Sequence, residues 1–487
     1  MDSINSWVLL ILLVLVTACR IEKKQDYVNY RECLFSLEIK KIELSNVGKN
    51  VLLLNISVIT EPDVSVYAKY WKKEDSTNSR YSELSRVGAS HTVKIYNLEP
   101  DNSYRFQVVA VKNNCQTVSK VYDFKSIKLP IWVDNYYKKD KNNNLDSIPV
   151  FNGYIHAYMR EKPGIFLIIN NRGNVVWYHQ VSEHVKMSHY TQRNTFLAII
   201  GTDQHHRAYG NRILEINVYG DTIANILTED NPHINKTIHH EVLLDSAYNY
   251  VVLTKEFKIF DLTPLGGVRE DTIWSDGIMV LTPEGNKIWE WTVFDVANLP
   301  EKLKTLEERK DWSHANSVSI DTDGNYLISF FHISEIWKVN AKTGELIWKL
   351  GIEGDFAMPE EAYFSGQHAV HRNAEGDIML FDNGIKNKTS RALSLAVDEN
   401  KMEAEVVLNA PLPKELYSRR MGSAYLIDSA NILQTSAMAD FVLVTDRHGK
   451  IKRKMRFGSL TYRAEYLTDF GLKRFYKVDN RKRIKQP

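Results

Sequence analysis

The sequence is poor in cysteine and nearly balanced in charge. It contains 3 Cys among 487 residues, and 62 Lys and Arg stand against 60 Asp and Glu, which leaves a formal net charge of +2. A charge this close to zero provides no strongly cationic face, so the sequence excludes nucleic acid as an expected partner. Nothing in the composition indicates disorder, because 44% of the residues are hydrophobic and a chain of this length can bury more than one core.

No apolar run near the N terminus is long enough to span a bilayer. The run from Trp7 to Val16 is followed by Thr-Ala-Cys ending at Cys19, and then by polar residues. Small residues before a Cys are typical of a lipobox, which predicts a lipoprotein signal peptide at residues 1–18 and lipid on Cys19. We therefore expect an exported protein, anchored to a membrane of the bacterial cell envelope and facing the periplasm or the cell surface. Met1–Ser6 has no Lys or Arg, so an ordinary signal peptide or an uncleaved anchor stays an alternative.

The two remaining cysteines form an even pair in an exported chain. Cys33 and Cys115 could form a disulfide that constrains most of the first domain. Two buried free thiols are the alternative, because the sequence does not determine their geometry.

Short alternating strands fill the stretch that follows the signal peptide. Val51–Val58 and Val64–Trp71 alternate apolar and polar residues over part of their length, and 97–110 resembles a segment of a fibronectin type III module. In that fold, Tyr104 would cap the sandwich and bond through its hydroxyl to backbone upstream. The sequence thus predicts a small fibronectin type III-like β-sandwich over residues 19–126.

A different sequence pattern begins near residue 127. There, a turn rich in Gly or Asn precedes a strand, and the turn recurs at intervals of about 47 to 65 residues. This is the spacing of propeller blades, each a four-stranded sheet with its loops. Six such turns predict an all-β, six-bladed β-propeller over residues 127–487. The turns are centred on Gly173, Gly220, Gly285, Gly344, Asn400 and Gly449.

Three histidines stand where strands would lead into the central channel of such a propeller. His240, His314 and His368 each precede an apolar strand, at separations of about 74 and 54 residues. Equivalent positions of successive blades converge on the propeller axis, so we expect the three side chains to meet there. Imidazole is a nucleophile and a proton carrier near pH 7, although three imidazoles could instead bind a metal.

Several segments around these histidines together resemble the signature of the arylsulfate sulfotransferases (the ASST family), over nearly the whole exported chain. The family's architecture, a fibronectin-like domain ahead of a six-bladed propeller, is similar too. The matching segments are the Asp-Trp-x-His-x-Asn-Ser box at Asp311–Ser317, then Ser334–Val339, Lys342–Gly351, Phe364–His368 and Leu380–Gly384.

The resemblance implies transfer of a sulfuryl group from a phenyl sulfate donor to a phenol acceptor. His368 would be the nucleophile and would form a transient sulfohistidine. His240 and His314 would handle protons and contact the oxyanion, and Asn316 would donate a hydrogen bond to the sulfuryl oxygens. The resemblance implies no nucleotide sulfate donor, no cofactor and no metal.

One position departs from the family pattern. The family has an Arg directly before the His of the next inner strand, and Phe331 stands there in this sequence, before His332. A neutral aromatic ring cannot pair with sulfuryl oxygens, so either another cation substitutes or the activity is altered or lost. Arg419, Arg420 and His332 are candidates, and Arg420 is favoured because 418–423 also resembles a family segment.

The alternative to an enzyme is a non-catalytic propeller of the cell envelope that binds a ligand or a partner protein. The sequence leaves open the physiological donor and acceptor, and whether the chain forms a homodimer.

Overall fold

The computed structural model describes residues 31–32, 38–47, 50–113, 115–139, 149–205, 208–228, 230–232, 234 and 236–470. The predicted signal peptide, Cys19 and Cys33 lie outside the described residues, as does the side chain of Cys115. The lipid anchor and the disulfide therefore stay predictions. No helix in these ranges has both the length and the apolarity needed to cross a membrane.

Six antiparallel sheets of four main strands each form a closed ring, which confirms the all-β class and the six-bladed propeller. The strands of blades 1, 2 and 3 are given from the axis outwards. Blade 1 consists of Thr461–Leu467, Tyr154–Met159, Gly164–Asn170 and Val175–Val181. Blade 2 consists of His184–Tyr190, Thr195–Gly201, Arg212–Asn217 and Thr222–Leu227. Blade 3 consists of Ile238–Leu244, Tyr250–Phe260, Asp271–Leu281 and Lys287–Thr292, with the short Tyr209–Gly210 paired to its inner strand.

Blades 4 to 6 repeat this order. Blade 4 consists of Ala315–Ile320, Tyr326–Phe330, Glu335–Val339 and Leu346–Gly351. Blade 5 consists of His368–Arg372, Ile378–Asp382, Arg391–Asp398 and Glu403–Pro411. Blade 6 consists of Ser423–Leu426, Ile432–Ser436, Phe441–Thr445 and Ile451–Arg456. Helices in the connections are a single turn or little more: Ile131–Asn135, Thr263–Leu265, Val293–Asp295, Leu299–Lys302, Leu306–Lys310, Glu360–Ala362, Lys414–Leu416 and Ala437–Ala439.

Middle strands of the blades are buried on both faces because a neighbouring blade packs on each side. Gly164–Asn170 and Thr195–Gly201, for example, are buried at every position. Each of the six turns predicted from the sequence joins the third and fourth strands of one blade. Most of these turns need a left-handed residue, which Gly supplies at low cost, as at Gly173 with φ +74°. Blade 5 has no Gly in its turn, and Met402 takes φ +53° instead.

The N-terminal region is a separate set of strands organised around one long strand, Asn50–Lys72. Its first half pairs with Glu38–Val47 and Gly88–Ile95, and its second half pairs with Asp75–Tyr81 and Ser103–Lys112. The short strands Arg31–Glu32, Cys115–Val118 and Tyr122–Lys125 complete the set.

One local feature expected of a fibronectin type III module is present in this region. The backbone N–H of Glu99 donates a hydrogen bond of 2.8 Å to the hydroxyl of buried Tyr104. The type of sandwich stays a prediction.

Polar contacts join the N-terminal region to blade 1. The Glu99 carboxylate accepts hydrogen bonds of 2.9 Å from the amide nitrogens of both Asn170 and Asn174, and it pairs with Lys72 at 2.6 Å. The amide nitrogen of Asn50 donates to the carbonyl of Tyr178 at 2.8 Å. These contacts place the N-terminal strands against the outer strands of blade 1.

Replacing Gly449 with Ala tests the tight blade turns. A Cβ on Gly449 (φ +84°) would press against the carbonyl oxygen of Pro411 in the neighbouring blade, whereas a Cβ on Gly324 (φ +85°) meets nothing within 4 Å. Gly324→Ala should lower the free energy of unfolding by about 1 kcal/mol, the cost of the left-handed backbone. Gly449→Ala should cost about 1 to 3 kcal/mol more because of the clash. Equal losses in denaturant unfolding of the two variants would contradict this account of the turn.

Candidate active site

The three predicted histidines lie at the same end of the ring, where the inner strands of blades 3, 4 and 5 begin. Their rings and two others form a closed circle in which neighbouring centroids are 5.1 to 6.4 Å apart. We call this set the aromatic circle, and its members in order are His240, His314, Phe331, His368 and Tyr462. The structure therefore brings the predicted histidines together, as expected from the propeller geometry.

The three histidines are not at fully equivalent backbone positions, in contrast to the expectation from their spacing. His240 and His314 both adopt left-handed backbone, with φ of +54° and +53°; His240 lies at a bulge of its inner strand, and His314 lies just before the bulge of the next one. The left-handed residue in blade 5 is Ala369, with φ +54°, so His368 stands one position earlier. The bulge has the physical effect of aiming successive side chains in different directions, which brings His368 to the circle from another angle.

His368 is 4% exposed and is held through both ring nitrogens. Its Nδ1 lies 2.7 Å from Oδ1 of Asn383 and 3.2 Å from the carbonyl of Gly366. Both of these partners are acceptors, so Nδ1 carries the proton and Nε2 has the lone pair. The backbone N–H of Met421 donates to that lone pair at 3.2 Å. Burial, opposed only in part by the hydrogen bond to Asn383, lowers the pKa of His368 to about 3, so the ring is neutral near pH 7.

Asn383 determines which nitrogen of His368 is protonated. Its amide nitrogen donates to the carbonyls of Ser418 at 2.6 Å and Met421 at 2.8 Å. These two bonds use both N–H groups of the amide, so its oxygen must face His368. Asn383 lies in one of the segments that resemble the family signature, but that resemblance alone gave it no role.

His314 is paired with a carboxylate that is itself paired with a lysine. Nδ1 of His314 donates to Oδ2 of Asp311, and Nζ of Lys255 donates to Oδ1 of the same carboxylate at 2.5 Å. Burial alone would raise the pKa of Asp311, but the bond to His314 and the charge of Lys255 hold it at about 2. Nε2 of His314 is consequently the atom left for a substrate.

His240 is connected to a second buried carboxylate through its neighbour. The Nδ1 atoms of His240 and His239 are 2.8 Å apart, and Nε2 of His239 lies 3.3 Å from Oδ1 of Asp276. Burial, with added repulsion from His239, lowers the pKa of His240 well below its ordinary value. His240 is therefore a neutral ring near pH 7 that can exchange hydrogen bonds but carries no charge of its own.

Asn316 is fully buried beside the strand that carries His368. Its amide nitrogen donates to the carbonyl of Gln367 at 2.7 Å. The side chain of Gln367 in turn donates to the carbonyls of Phe330 and Glu335 at 3.1 and 2.9 Å. Asn316 thus supports the backbone next to His368, and its predicted hydrogen bond to a sulfuryl oxygen stays a prediction.

Phe331 occupies the circle between two of the histidines, with centroids 5.5 Å from His314 and 5.4 Å from His368. Arg420, the cation favoured by the sequence analysis, directly precedes Met421, whose N–H bonds to His368. It is half-buried, whereas Arg419 is exposed.

Asp311, His314 and His332 form the group, among the described residues, whose ligand-type atoms lie within 4.8 Å of one another. Both oxygens of the Asp311 carboxylate are already engaged, by Lys255 and His314. Nδ1 of His332 bonds to the carbonyl of Asp311. This arrangement orients the two histidine rings.

A cavity of about 270 Å³ lies further along the axis, between the later residues of the inner strands, and His240, His314 and His368 do not line it. A charged cluster lines it instead. His189 bonds to the carboxylates of Glu465 and, at 2.6 Å, Glu241, which also pairs with Arg463 at 2.8 Å. Burial alone would lower the pKa of His189, but the two carboxylates outweigh it and raise the pKa to about 9. Two positive charges therefore balance two negative ones on the axis.

Several residues at the aromatic circle were missed by sequence reasoning: Asn383, Lys255, Tyr462 and two further cations, Arg160 and Lys186. Asn383 and also Asp311 carried a usable signal, because each stands in a segment that resembles the family signature. The others come from segments that only the closed ring brings to this end.

Comparison with known proteins identifies the family but not a close relative. No curated protein sequence matches the chain. A protein of unknown function from Bacteroides caccae has a TM-score of 0.40 at 10% identity, over 64% of this chain and 98% of its own. Streptogramin B lyase has a TM-score of 0.35 at 12% identity, over 64% of this chain and 84% of its own. TM-scores below 0.5 do not assign a function or a family to this chain. Residues 133–466, well over half of the 487, match the family model of the arylsulfotransferases (ASST), and the chain therefore belongs to the arylsulfotransferase family.

Proposed function

We propose that this arylsulfotransferase moves a sulfuryl group from a phenolic sulfate ester to a phenolic acceptor through a sulfohistidine on His368, without a nucleotide sulfate donor. The observation that carries the proposal is the state of His368. Its ring is buried and neutral, and hydrogen bonds at Nδ1 leave the Nε2 lone pair as the reactive position at the aromatic circle. A neutral imidazole with a directed lone pair is a good nucleophile at pH 7.

In the first step, Nε2 of His368 attacks the sulfur of the donor ester. The N–S bond forms as the bond from sulfur to the aryl oxygen breaks, and the phenolate leaves with that electron pair. His314 as imidazolium then gives a proton from Nε2 to the phenolate. The ring of His368 keeps its proton on Nδ1 and becomes positively charged, and the oxygen of Asn383 stabilises that charge.

In the second step, the oxygen of an acceptor phenol attacks the sulfur and the N–S bond breaks. His314, now neutral, takes the phenol proton and returns to its starting state, which completes a ping-pong cycle. Asp311 accepts the Nδ1–H of His314 throughout and holds the ring in one orientation. Met421 must release Nε2 of His368 before the first step, because its backbone N–H occupies that lone pair.

We also propose the substrates and the cellular location of the enzyme. The donor and acceptor are small phenolic molecules, and Arg420 is a candidate to offset charge on the sulfuryl oxygens. The chain is exported and anchored by a lipid on Cys19 in the cell envelope, and the N-terminal strands are a fibronectin type III-like scaffold. These points rest on the sequence motifs and on the family.

A second candidate function is a non-catalytic binding propeller. Phe331 favours it, because an apolar ring stands between His314 and His368 where charge would develop in sulfuryl transfer. Such a protein would bind a ligand at the aromatic circle without transferring a group.

Replacing His368 with Ala separates the two functions. Purified protein with 4-nitrophenyl sulfate and phenol should release nitrophenolate, and His368→Ala should lower that rate by at least about 10³-fold because the nucleophile is gone. His448→Ala, an exposed histidine in a blade 6 turn, is the control and should retain the full rate. Wild-type protein that releases no nitrophenolate with any phenol would favour the binding propeller.

Replacing Asn383 with Ala tests the tautomer of His368. Without the amide oxygen, the Nδ1–H form loses its preference, so kcat should fall by about 10² to 10⁴-fold while KM for the donor changes little. Asn387→Ala, on the same connection but exposed, should leave both constants unchanged. A rise in KM with unaltered kcat would instead assign Asn383 to substrate binding, and thermal unfolding of the two variants checks that both are folded.

A further inference from the structure

Two buried cations lie beside the aromatic circle on blades 1 and 2. Arg160 directly follows the strand Tyr154–Met159 and is 9% exposed, and Lys186 lies in the inner strand of blade 2 and is 4% exposed. Neither belongs to a segment that resembles the family signature.

Both cations bond to backbone carbonyls and not to carboxylates. Nε of Arg160 donates to the carbonyl of Lys186 at 2.7 Å, and Nζ of Lys186 donates to the carbonyl of His205 at 3.1 Å. Nη2 of Arg160 is buried without a hydrogen-bond acceptor. Within the described ranges, neither side chain has a carboxylate at ion-pair distance.

Two other buried cations of the ring, Arg463 and Lys338, differ in this respect, as does the less buried Lys255. Arg463 pairs with Glu241 at 2.8 Å, Lys338 with Asp321 at 3.1 Å, and Lys255 with Asp311. A buried charge without a partner is costly, so proteins rarely keep one unless an ion or ligand completes it. Within the described ranges, Arg160 and Lys186 are thus two buried cations without an ion pair, and the charge of Asp203 acts on Lys186 only from beyond ion-pair distance.

The charge of this pair reaches the aromatic circle. The guanidinium carbon of Arg160 lies 3.6 Å from the ring centroid of Tyr462, whose own centroid is 6.4 Å from His240 and 6.3 Å from His368. Burial and the charge of Arg160 lower the pKa of Lys186 to about 8. The charge of Arg160 is also among the causes, after burial, that lower the pKa of His240.

We propose that Arg160 and Lys186 form an anion site at the edge of the aromatic circle that binds the negatively charged oxygens of a sulfate ester. The guanidinium group presents parallel N–H donors that suit two oxygens of one tetrahedral group, and Lys186 adds a second charge. The site rests on the proposed function only for the identity of its ligand, because inorganic sulfate has the same chemistry and needs no turnover to bind. It provides the cationic contact that Phe331 cannot.

Calorimetric binding to the full chain tests the site. Two probes are used: inorganic sulfate with otherwise wild-type protein, and 4-nitrophenyl sulfate with the His368→Ala variant, which cannot turn it over. Arg160→Gln should weaken the binding of both anions by at least about 10-fold, the loss typical of a hydrogen-bonded charge, and should leave the binding of phenol unchanged. Arg447→Gln, which removes a partly exposed ion pair with Glu375 far along the sequence, is the control.

Further variants keep the result interpretable. Thermal unfolding checks that each variant is folded. If Arg160→Gln does not fold, Lys186→Met replaces it, and this variant should also weaken the binding of both anions. Arg420→Gln is measured in parallel. Full affinity in both Arg160→Gln and Lys186→Met, or a loss confined to Arg420→Gln, would overturn the anion site.

The outcome for the site is separable from the outcome for the proposed function. Binding of inorganic sulfate that depends on Arg160, in a protein that never releases nitrophenolate, would support the anion site and reject the transferase. Turnover that persists at the wild-type rate in Arg160→Gln, with unchanged affinity for both anions, would reject the site and leave the transferase intact.

Discussion

The structure depends on the pairing of one C-terminal strand with the start of the propeller. Thr461–Leu467 is the inner strand of blade 1, antiparallel to Tyr154–Met159, with Ala464 opposite Ala157 and Leu467 opposite Tyr154. This pairing closes the ring. It completes blade 1, so that the edge of Tyr154–Met159 is paired and no blade is left with an exposed face. The same strand places Tyr462 in the aromatic circle and Arg463 and Glu465 on the axis. Closure of the ring and assembly of the site therefore depend on the same strand pairing.

The axis has two electrostatic regions that the closed ring keeps apart. Further along the inner strands, His189 and Arg463 balance Glu241 and Glu465. A balanced cluster such as this one satisfies its own charges and ties blades 1, 2 and 3 together. At the aromatic circle, the carboxylates on blades 3 and 4 are compensated by Lys255, whereas the cations on blades 1 and 2 are not. That region is therefore the part of the channel suited to receive an anion.

Backbone conformation at the aromatic circle follows from the same geometry. Four residues other than Gly have left-handed backbone where inner strands begin: His240, His314, Ala369 and Met421. Such conformations persist only where surrounding contacts hold them, and they cluster at functional sites. In this protein the strain turns two imidazoles inward and directs the N–H of Met421 at His368.

The sequence alone predicted the number of blades and the three histidines that the structure brings together at one end of the ring. Turn residues and strand periodicity act between near neighbours along the chain, so Gly173 or Gly449 can be interpreted without coordinates. Only the tertiary structure decided that residues 461–467 complete blade 1, that Asn383 selects the tautomer of His368, and that Arg160 and Lys186 lie beside the circle. Those contacts join residues from different blades, and a single left-handed residue shifts which side chain faces the axis. The spacing of residues along the sequence does not show the bulges or the ring closure, and these determine where the side chains point.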